Sequence, residues 1–247
     1  MFAAERDLRG CGVNRVWPTS TFLGRLRQAS REELLKQGIE KNYSPHQTLL
    51  QQGDSSRHVL LLTRGVVKVT ASSESGNTVL LAVRIAGDLV GEMAAFEDLP
   101  RSGTVVACNE VSARIVQLHA FEAFLTRNPD AMKAVLRMLS ARLRWANRRR
   151  IDYRSYSAPI RFARVLAELG RTYAQPVPDE VGKRWVLDVT LTQRELASLA
   201  GLALPTAEKS LSALTAMGLV QRSYRNITIC DVPKLLEFAK LADENPY

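Results

Sequence analysis

The sequence predicts an α+β chain of 247 residues: an N-terminal antiparallel β-roll, one long helix, and a small C-terminal domain of helices closed by a two-stranded hairpin. Three observations predict it. Between Gln47 and Leu118, apolar runs of strand length alternate with turn-rich pieces. From Met132 to Tyr153, apolar residues recur at steps of four and three. From Thr192 to Ile229, two short helical segments parted by Gly201 lead into a pair of β-rich runs. The expected parts are residues 1–126 (an extension plus the roll), 127–157 (the long helix) and 158–247 (the C-terminal domain).

Residues 19–41 read as short helices, with Ser30 as N-cap in front of REELL and Gly38 as a breaker near the end. The period then changes. QTLLQQ, HVLLLT, GVVKVTA, NTVLLAVR, GTVVAC and SARIVQL are separated by turns at Gly53-Asp54-Ser55-Ser56, Ser72 to Asn77, Gly87-Asp88 and Asp98-Leu99-Pro100. Many short strands joined by regular turns build an antiparallel barrel or roll.

Asn128-Pro129-Asp130 opens the long helix, with Asn128 or Asp130 capping and Pro129 suited to the first turn. Met132, Leu136, Leu139, Leu143, Ala146 and Tyr153 form a heptad stripe in which Arg150 occupies one seam position. This is the spacing of two helices winding together, so the stripe predicts a homodimer; the competing reading is a helix packed on its own barrel. The charge of the chain sits on the same helix. Net charge is +9 overall, divided as +1 in residues 1–126, +7 in 127–157 and +1 in 158–247. Arg142, Arg144, Arg148, Arg149, Arg150 and Arg154 crowd this stretch. They read as a solvated face whose stems cover apolar surface, or in part as a site for a second anion, such as a larger nucleotide. The basic balance therefore does not itself argue for DNA binding, which has to rest on a motif.

Ser157-Ala158-Pro159 starts a helix expected to end at Gly170, and residues 174–188 form a loop with a short strand. Thr192-Gln193-Arg194-Glu195 is then a capping box, in which the Thr hydroxyl and the Glu carboxylate each satisfy a free backbone N–H. Leu196, Leu199 and Ala200 give that helix its inner face, and Gly201 ends it. Leu204-Pro205 begins the next, which runs through Leu211 and Leu214 to Gly218. Two short helices about a Gly-containing turn are the helix-turn-helix plan, whose second helix enters the major groove. LVQRSYRNITI follows as two strands around Ser223 to Asn226, a wing carrying Arg222 and Arg225. Double-stranded DNA is the expected partner; a small helical hairpin without a nucleic-acid role is the alternative.

This segment, with the roll and long helix before it, resembles the cyclic-AMP receptor protein (CRP/FNR) family of bacterial transcription regulators over roughly residues 19–240. The resemblance implies that Thr192 and Gln193 contact phosphates, and that Leu204, Pro205 and Lys209 stand where the best-known members read base edges with Arg, Glu and Arg. Leu cannot form the bidentate pair of Arg with guanine, and a Pro at a helix start donates nothing. Lys209 keeps a cation, and Arg194, Thr206, Glu208 and Ser210 are the remaining polar candidates, so a different target site is expected. With few cations in the C-terminal part, weak binding to random DNA is expected as well.

Gly91-Glu92-Met93-Ala94-Ala95-Phe96, followed by Pro100-Arg101-Ser102-Gly103-Thr104-Val105, resembles the phosphate-binding cassette of cyclic-nucleotide domains. Gly91 allows close backbone approach, Glu92 can accept from a ribose hydroxyl, and N–H groups around Met93 to Ala95 can cradle an anion. Arg101 supplies a charged fork for the cyclic phosphate and Ser102 a hydroxyl. The competing reading makes Glu92 and Arg101 a structural ion pair or solvated surface groups. Family members that bind cyclic AMP contact adenine through Thr and Ser on the long helix, where this sequence has Ala146 and Asn147; Asn147 alone can bond a base edge. No cofactor is required by this reading. The resemblance implies a nucleotide effector (cyclic AMP, cyclic GMP or a cyclic dinucleotide), and RNA polymerase joins DNA and a second copy as partners. A ligand-independent regulator, and a nucleotide-binding protein whose winged domain contacts protein, stay open.

Other classes find little support. No apolar run approaches the roughly 18–20 residues of a spanning helix, the first residues carry Glu5 and Asp7 without an apolar core, and the chain reads as cytoplasmic. Cys11, Cys108 and Cys230 form neither a disulfide framework nor a metal-ligand spacing, and Cys108 and Cys230 lie in apolar runs as small hydrophobes. His46, His58 and His119 are dispersed, and no nucleophile and base share a motif, so no enzyme and no metal site is expected.

Overall fold

The computed structural model describes residues 17–176, 184–187, 189–223 and 227–241. They pack as two compact units, one of residues 17–78 with 82–142 and one of residues 79–81 with the described residues from 143 to 241.

The first unit opens with α1 (Phe22–Arg25) and α2 (Gln28–Leu35), followed by β1 (Ile39–Tyr43), β2 (Thr48–Leu50), β3 (His58–Arg64), β4 (Val66–Ser72), β5 (Thr78–Ile85, apart from its Val79–Leu81) and β6 (Leu89–Val90). It continues with α3 (Glu92–Glu97), β7 (Thr104–Ala107), β8 (Val111–Gln117) and α4 (Leu118–Arg127). The strands form two antiparallel sheets ordered β1-β8-β3-β6 and β2-β7-β4-β5. Six of them fall on the runs expected from sequence. β1 and β6 do not, and residues 39–41, expected to be helical, are strand. Four of the five side chains of β1 are exposed and it pairs as an edge with β8, so IEKNY carries no hydrophobic alternation to read.

The run HVLLLT explains how the roll is held. Buried between β8 and β6, β3 sends alternate side chains to opposite faces. Val59 and Leu61 join a core with Phe22, Leu34, Phe121 and Phe124 from the flanking helices. Leu60 and Leu62 join a second core with Leu50, Val67 and Val105, between the sheets. Each fully buried Leu contributes about 1.5–3 kcal/mol of transfer free energy.

Ser30 is not the cap of α2. It lies inside that helix, and its hydroxyl donates to Asp130 at 2.9 Å and to Asn128 at 3.2 Å. The N-cap is Arg27, whose N–H is accepted by Asp130 Oδ2 at 3.1 Å. Asp130 thus serves the start of α2. Burial acts to raise its pKa, but the hydrogen bonds from Arg27 and Ser30 outweigh it and hold the carboxyl below its usual value.

The long helix is one element, α5 (Pro129–Ser155). Its inner face in the first unit is Ala131, Ala134, Val135 and Met138. In the second unit it is followed by α6 (Ala158–Tyr173), β9 (Ala174–Pro176), β10 (Trp185–Leu187), α7 (Gln193–Leu199), α8 (Leu204–Ala216), β11 (Val220–Arg222), β12 (Ile227–Ile229) and α9 (Val232–Phe238), with a sheet ordered β11-β12-β10-β9. Gly170 does not end α6, which continues to Tyr173. A Cβ at Gly170 would sit 2.5 Å from Trp185 Cε3, so the glycine is the space into which the indole packs.

The end of α5 is fixed to α6 by charge. Asp152 is buried, with Arg164 Nε 3.0 Å and Arg149 Nη1 3.8 Å from its Oδ2. Glu168 pairs with Arg149 and accepts from Trp145 Nε1 at 3.0 Å. Burial lowers the Arg149 pKa, with Glu168 and Asp152 acting in the opposite direction. Arg164 also donates to the carbonyls of Ala239 and Lys240, tying the end of α9 to the same point.

Candidate functional site

Gly91 precedes α3 at φ +84°, a backbone only glycine adopts readily, and a Cβ there would meet Arg101 Nη1 at 2.8 Å and Leu50 Cδ1 at 2.9 Å. The missing side chain is what lets Arg101 into the roll. Arg101 is 3% exposed and donates from Nη1 to the Gly91 carbonyl and from Nη2 to the His58 carbonyl, both at 2.6 Å, and from Nε to Ser56 Oγ at 3.3 Å. Three of a guanidinium's five N–H groups are thereby committed, leaving one on each Nη. Burial lowers the Arg101 pKa, and nearby Asp54 and Glu92 act to raise it. His58 is also pushed down, first by burial and then by Arg101 and Lys41.

Glu92, 2% exposed, is the second buried charge. Its ion pair is with Arg142 of α5, not with Arg101, and Arg142 also donates to the Leu89 carbonyl at 2.7 Å. In the sequence Arg142 reads as one of the basic cluster on α5, and its use as the partner of Glu92 carries no local signal. Beside this pair, burial raises the pKa of Asp88, against Arg84 and Arg142, which lower it. Ser102 and Met93 are exposed and Ala94 is buried. The site thus offers a buried carboxylate held by Arg142 and a buried guanidinium with two uncommitted N–H groups.

Along α5 the seam residues Met132 (41%), Leu136 (57%), Leu143 (63%) and Tyr153 (65%) are exposed, as is Ala146, while Leu139 is partly buried against the helix-side core of the roll. The stripe is therefore largely unpartnered within one chain, with Leu139 the residue that packs on its own roll. The Tyr153 ring also carries the Arg161 guanidinium at 4.9 Å. Ile151, 60% exposed, was not expected on this surface. Asn147, Arg144, Arg150 and Arg154 are exposed.

In the second unit the capping box is present as read: Thr192 Oγ1 accepts from Glu195 N at 3.2 Å, and Glu195 Oε2 accepts from Thr192 N at 2.7 Å. Gly201 makes the turn at φ +61°. Ala207, Ser210, Leu211 and Leu214 form the buried face of α8. Ser210 is a correction, because its hydroxyl donates to the Thr206 carbonyl at 2.8 Å and its side chain points into the domain. The outer face presents Pro205, Thr206, Glu208, Lys209 and also Ser212, which sequence reasoning missed although it lies one turn past Glu208. Leu204 is half-buried and Arg194 exposed. With its amide turned to satisfy both neighbours, Gln193 donates to Glu208 Oε1 at 3.0 Å and accepts from Arg222 Nη1 at 2.6 Å. Arg225 lies outside the described residues, as does Cys11; Cys108 and Cys230 are half-buried and are not joined in a disulfide. Among the described residues no cluster of His, Cys, Asp and Glu could hold a metal ion, and no helix is long and apolar enough to cross a membrane.

Comparison with known proteins bears on both sites. Residues 40–128 match the cyclic nucleotide-binding domain and residues 160–238 the Crp-like helix-turn-helix domain. The chain is 26% identical over 207 residues to a CRP-like cAMP-activated global transcriptional regulator of Mycobacterium tuberculosis, covering 84% of this chain and 91% of that protein. It is 24% identical over 204 residues to the transcriptional activator protein FnrL of Cereibacter sphaeroides, covering 81% and 79%. In fold it is similar to CooA from Carboxydothermus hydrogenoformans (TM-score 0.68, 21% identity, 84% of this chain and 90% of that one). It is likewise similar to the c-di-GMP responsive regulator CLP of Xanthomonas campestris (TM-score 0.69, 20% identity, 82% and 99%).

Proposed function

The chain belongs to the CRP/FNR family of bacterial transcription regulators, and on that basis we propose that it is a sequence-specific DNA-binding regulator whose roll takes a cyclic nucleotide as effector. The observation that carries the proposal is the conjunction, in one chain, of a buried Glu92 and Arg101 in the cassette with a box-capped helix-turn-helix. Arg101 and Ser102 receive the cyclic phosphate, Glu92 the ribose hydroxyl, and the N–H groups of Met93 and Ala94 lie on the same anion. Asn147 is the base-edge candidate of α5. DNA is read by α8 of each protomer in a homodimer built on Met132, Leu136, Leu139, Leu143, Ala146 and Tyr153, with RNA polymerase as a further partner on the promoter.

A ligand gates DNA binding only by favouring one state over another, and such coupling is typically about 1–3 kcal/mol. Here it has a definite starting point, because a ligand hydroxyl on Glu92 competes with Arg142 for the same carboxylate. That observation also favours a second reading, in which the cassette is closed by its own arginines and the regulator binds DNA without ligand. Titration of cyclic AMP, cyclic GMP and cyclic di-GMP into a DNA-binding assay on genomic fragments separates the two. A shift of about fivefold to 150-fold with one nucleotide is expected. Unchanged binding with all three selects the ligand-independent reading, and absence of salt-sensitive DNA binding overturns both in favour of a protein-contacting winged domain.

A further inference from the structure

We infer that Glu208 is a specificity-determining residue of the reading helix α8, and that Gln193 and Arg222 hold its carboxylate for that purpose. The inference rests on the DNA-binding reading above.

Three elements contribute one residue each: Gln193 starts α7, Glu208 stands on α8 and Arg222 ends β11. Guanidinium has only donors and carboxylate only acceptors, so the amide between them has a single satisfying orientation, its oxygen toward Arg222 and its nitrogen toward Glu208. The cation of the wing strand thereby sets the direction of the amide, and the amide fixes Glu208 Oε1. Both bonds are charge-assisted. Oε2 remains available on an exposed residue.

A carboxylate on this helix is selective by exclusion. In the major groove it can accept from the amino group of cytosine, and less aptly from that of adenine, whereas guanine and thymine present acceptor oxygens to it. A wrong base leaves a desolvated charge facing lone pairs, a device that discriminates through repulsion as well as attraction. In the first turn of α8 Leu204 and Pro205 carry no donor or acceptor side chain, and Thr206 offers a single exposed hydroxyl. The charged groups that α8 brings to base edges are thus Glu208 and Lys209, one turn along the helix.

Binding-site selection from a random duplex library tests this with the full-length wild type, E208A, E208Q, Q193A, R222A and R222K, each first matched for thermal unfolding. The wild type is expected to enrich cytosine at one position of each half-site. In E208A and E208Q the preference at that position falls by about tenfold while other positions hold. Q193A and R222A lose part of the preference at the same position, and R222K, which keeps a cation on the amide oxygen, restores it. An identical site in wild type and E208A overturns the inference and leaves DNA binding standing; so does a uniform rise in affinity for all sequences in E208A, which makes Glu208 only a repellent of phosphate. A wild type that enriches no sequence overturns the DNA-binding reading and the inference with it.

Discussion

Glu92 shows how much of a site a residue type discloses. Its place after Gly91 and ahead of Arg101 marks it as a cassette carboxylate, but nothing in the sequence near it names the side chain that neutralises it. That partner, Arg142, is 50 residues away, in a run of six arginines that look alike until the fold separates them. Arg142 goes to Glu92, Arg149 to Glu168 and Asp152, while Arg144, Arg150 and Arg154 stay in solvent. The pair has an energetic consequence. Glu92 is 3% and Arg142 21% exposed in the side chain, and removing one partner of such a pair costs more than removing both, because a buried charge is left uncompensated. R142M is therefore expected to lower stability by about 2–4 kcal/mol, and R142M/E92Q to recover most of that loss. Thermal unfolding of the two variants and the wild type checks this. Equal losses in single and double mutants would falsify the ion pair as the cause.

Among the elements, those with a strong period were legible and those with little burial were not. The apolar runs from β2 to β8 announced themselves, β6 at two residues was too short to do so, and β1 is an exposed edge. Gly170 and Ser30 mislead for one reason: each reads as local punctuation in the sequence and answers to a tertiary neighbour, Trp185 in one case and Asp130 in the other. The helix α5 was legible in its period, and its outer stripe changes character along its length. Met132, Leu136 and Leu143 give an exposed apolar seam, and the next seam position after Ala146 is Arg150. Two copies wound together would oppose Arg150 to its mate. A polar residue at a seam position fixes register at a cost in stability. L136K/L143K is accordingly expected to be monomeric in sedimentation equilibrium under conditions where the wild type is a dimer. R150L should tighten the dimer, by about 1 kcal/mol per helix pair. A wild type that sediments as a monomer at tens of micromolar sinks the seam.

For the whole molecule the distribution of charge says more than its total. The chain carries +9, yet residues 158–247 account for only +1 of it. Among the described residues the exposed cations of α7, α8 and β11 are Arg194, Lys209 and Arg222, and Arg222 already donates to Gln193. Non-specific affinity comes from released counterions, and the logarithm of the binding constant falls with the logarithm of salt at about 0.9 per neutralised phosphate. Two or three contacts per protomer give a dimer a slope of roughly −4 to −5. Binding to random duplex should therefore be weak at physiological salt, so that discrimination rests on groups such as Glu208 that are costly on the wrong base. Replacing Arg194 by Ala is expected to reduce the slope by about two in a dimer, on any sequence, while leaving base preference intact. Fluorescence anisotropy on a random and a selected duplex, across a salt series, measures both quantities. A slope near −10 would show that cations outside these elements touch the duplex. The exposed Arg144, Arg150 and Arg154 of α5 would then be the first to replace, and the dimer seam and the DNA interface would have to be treated as one surface.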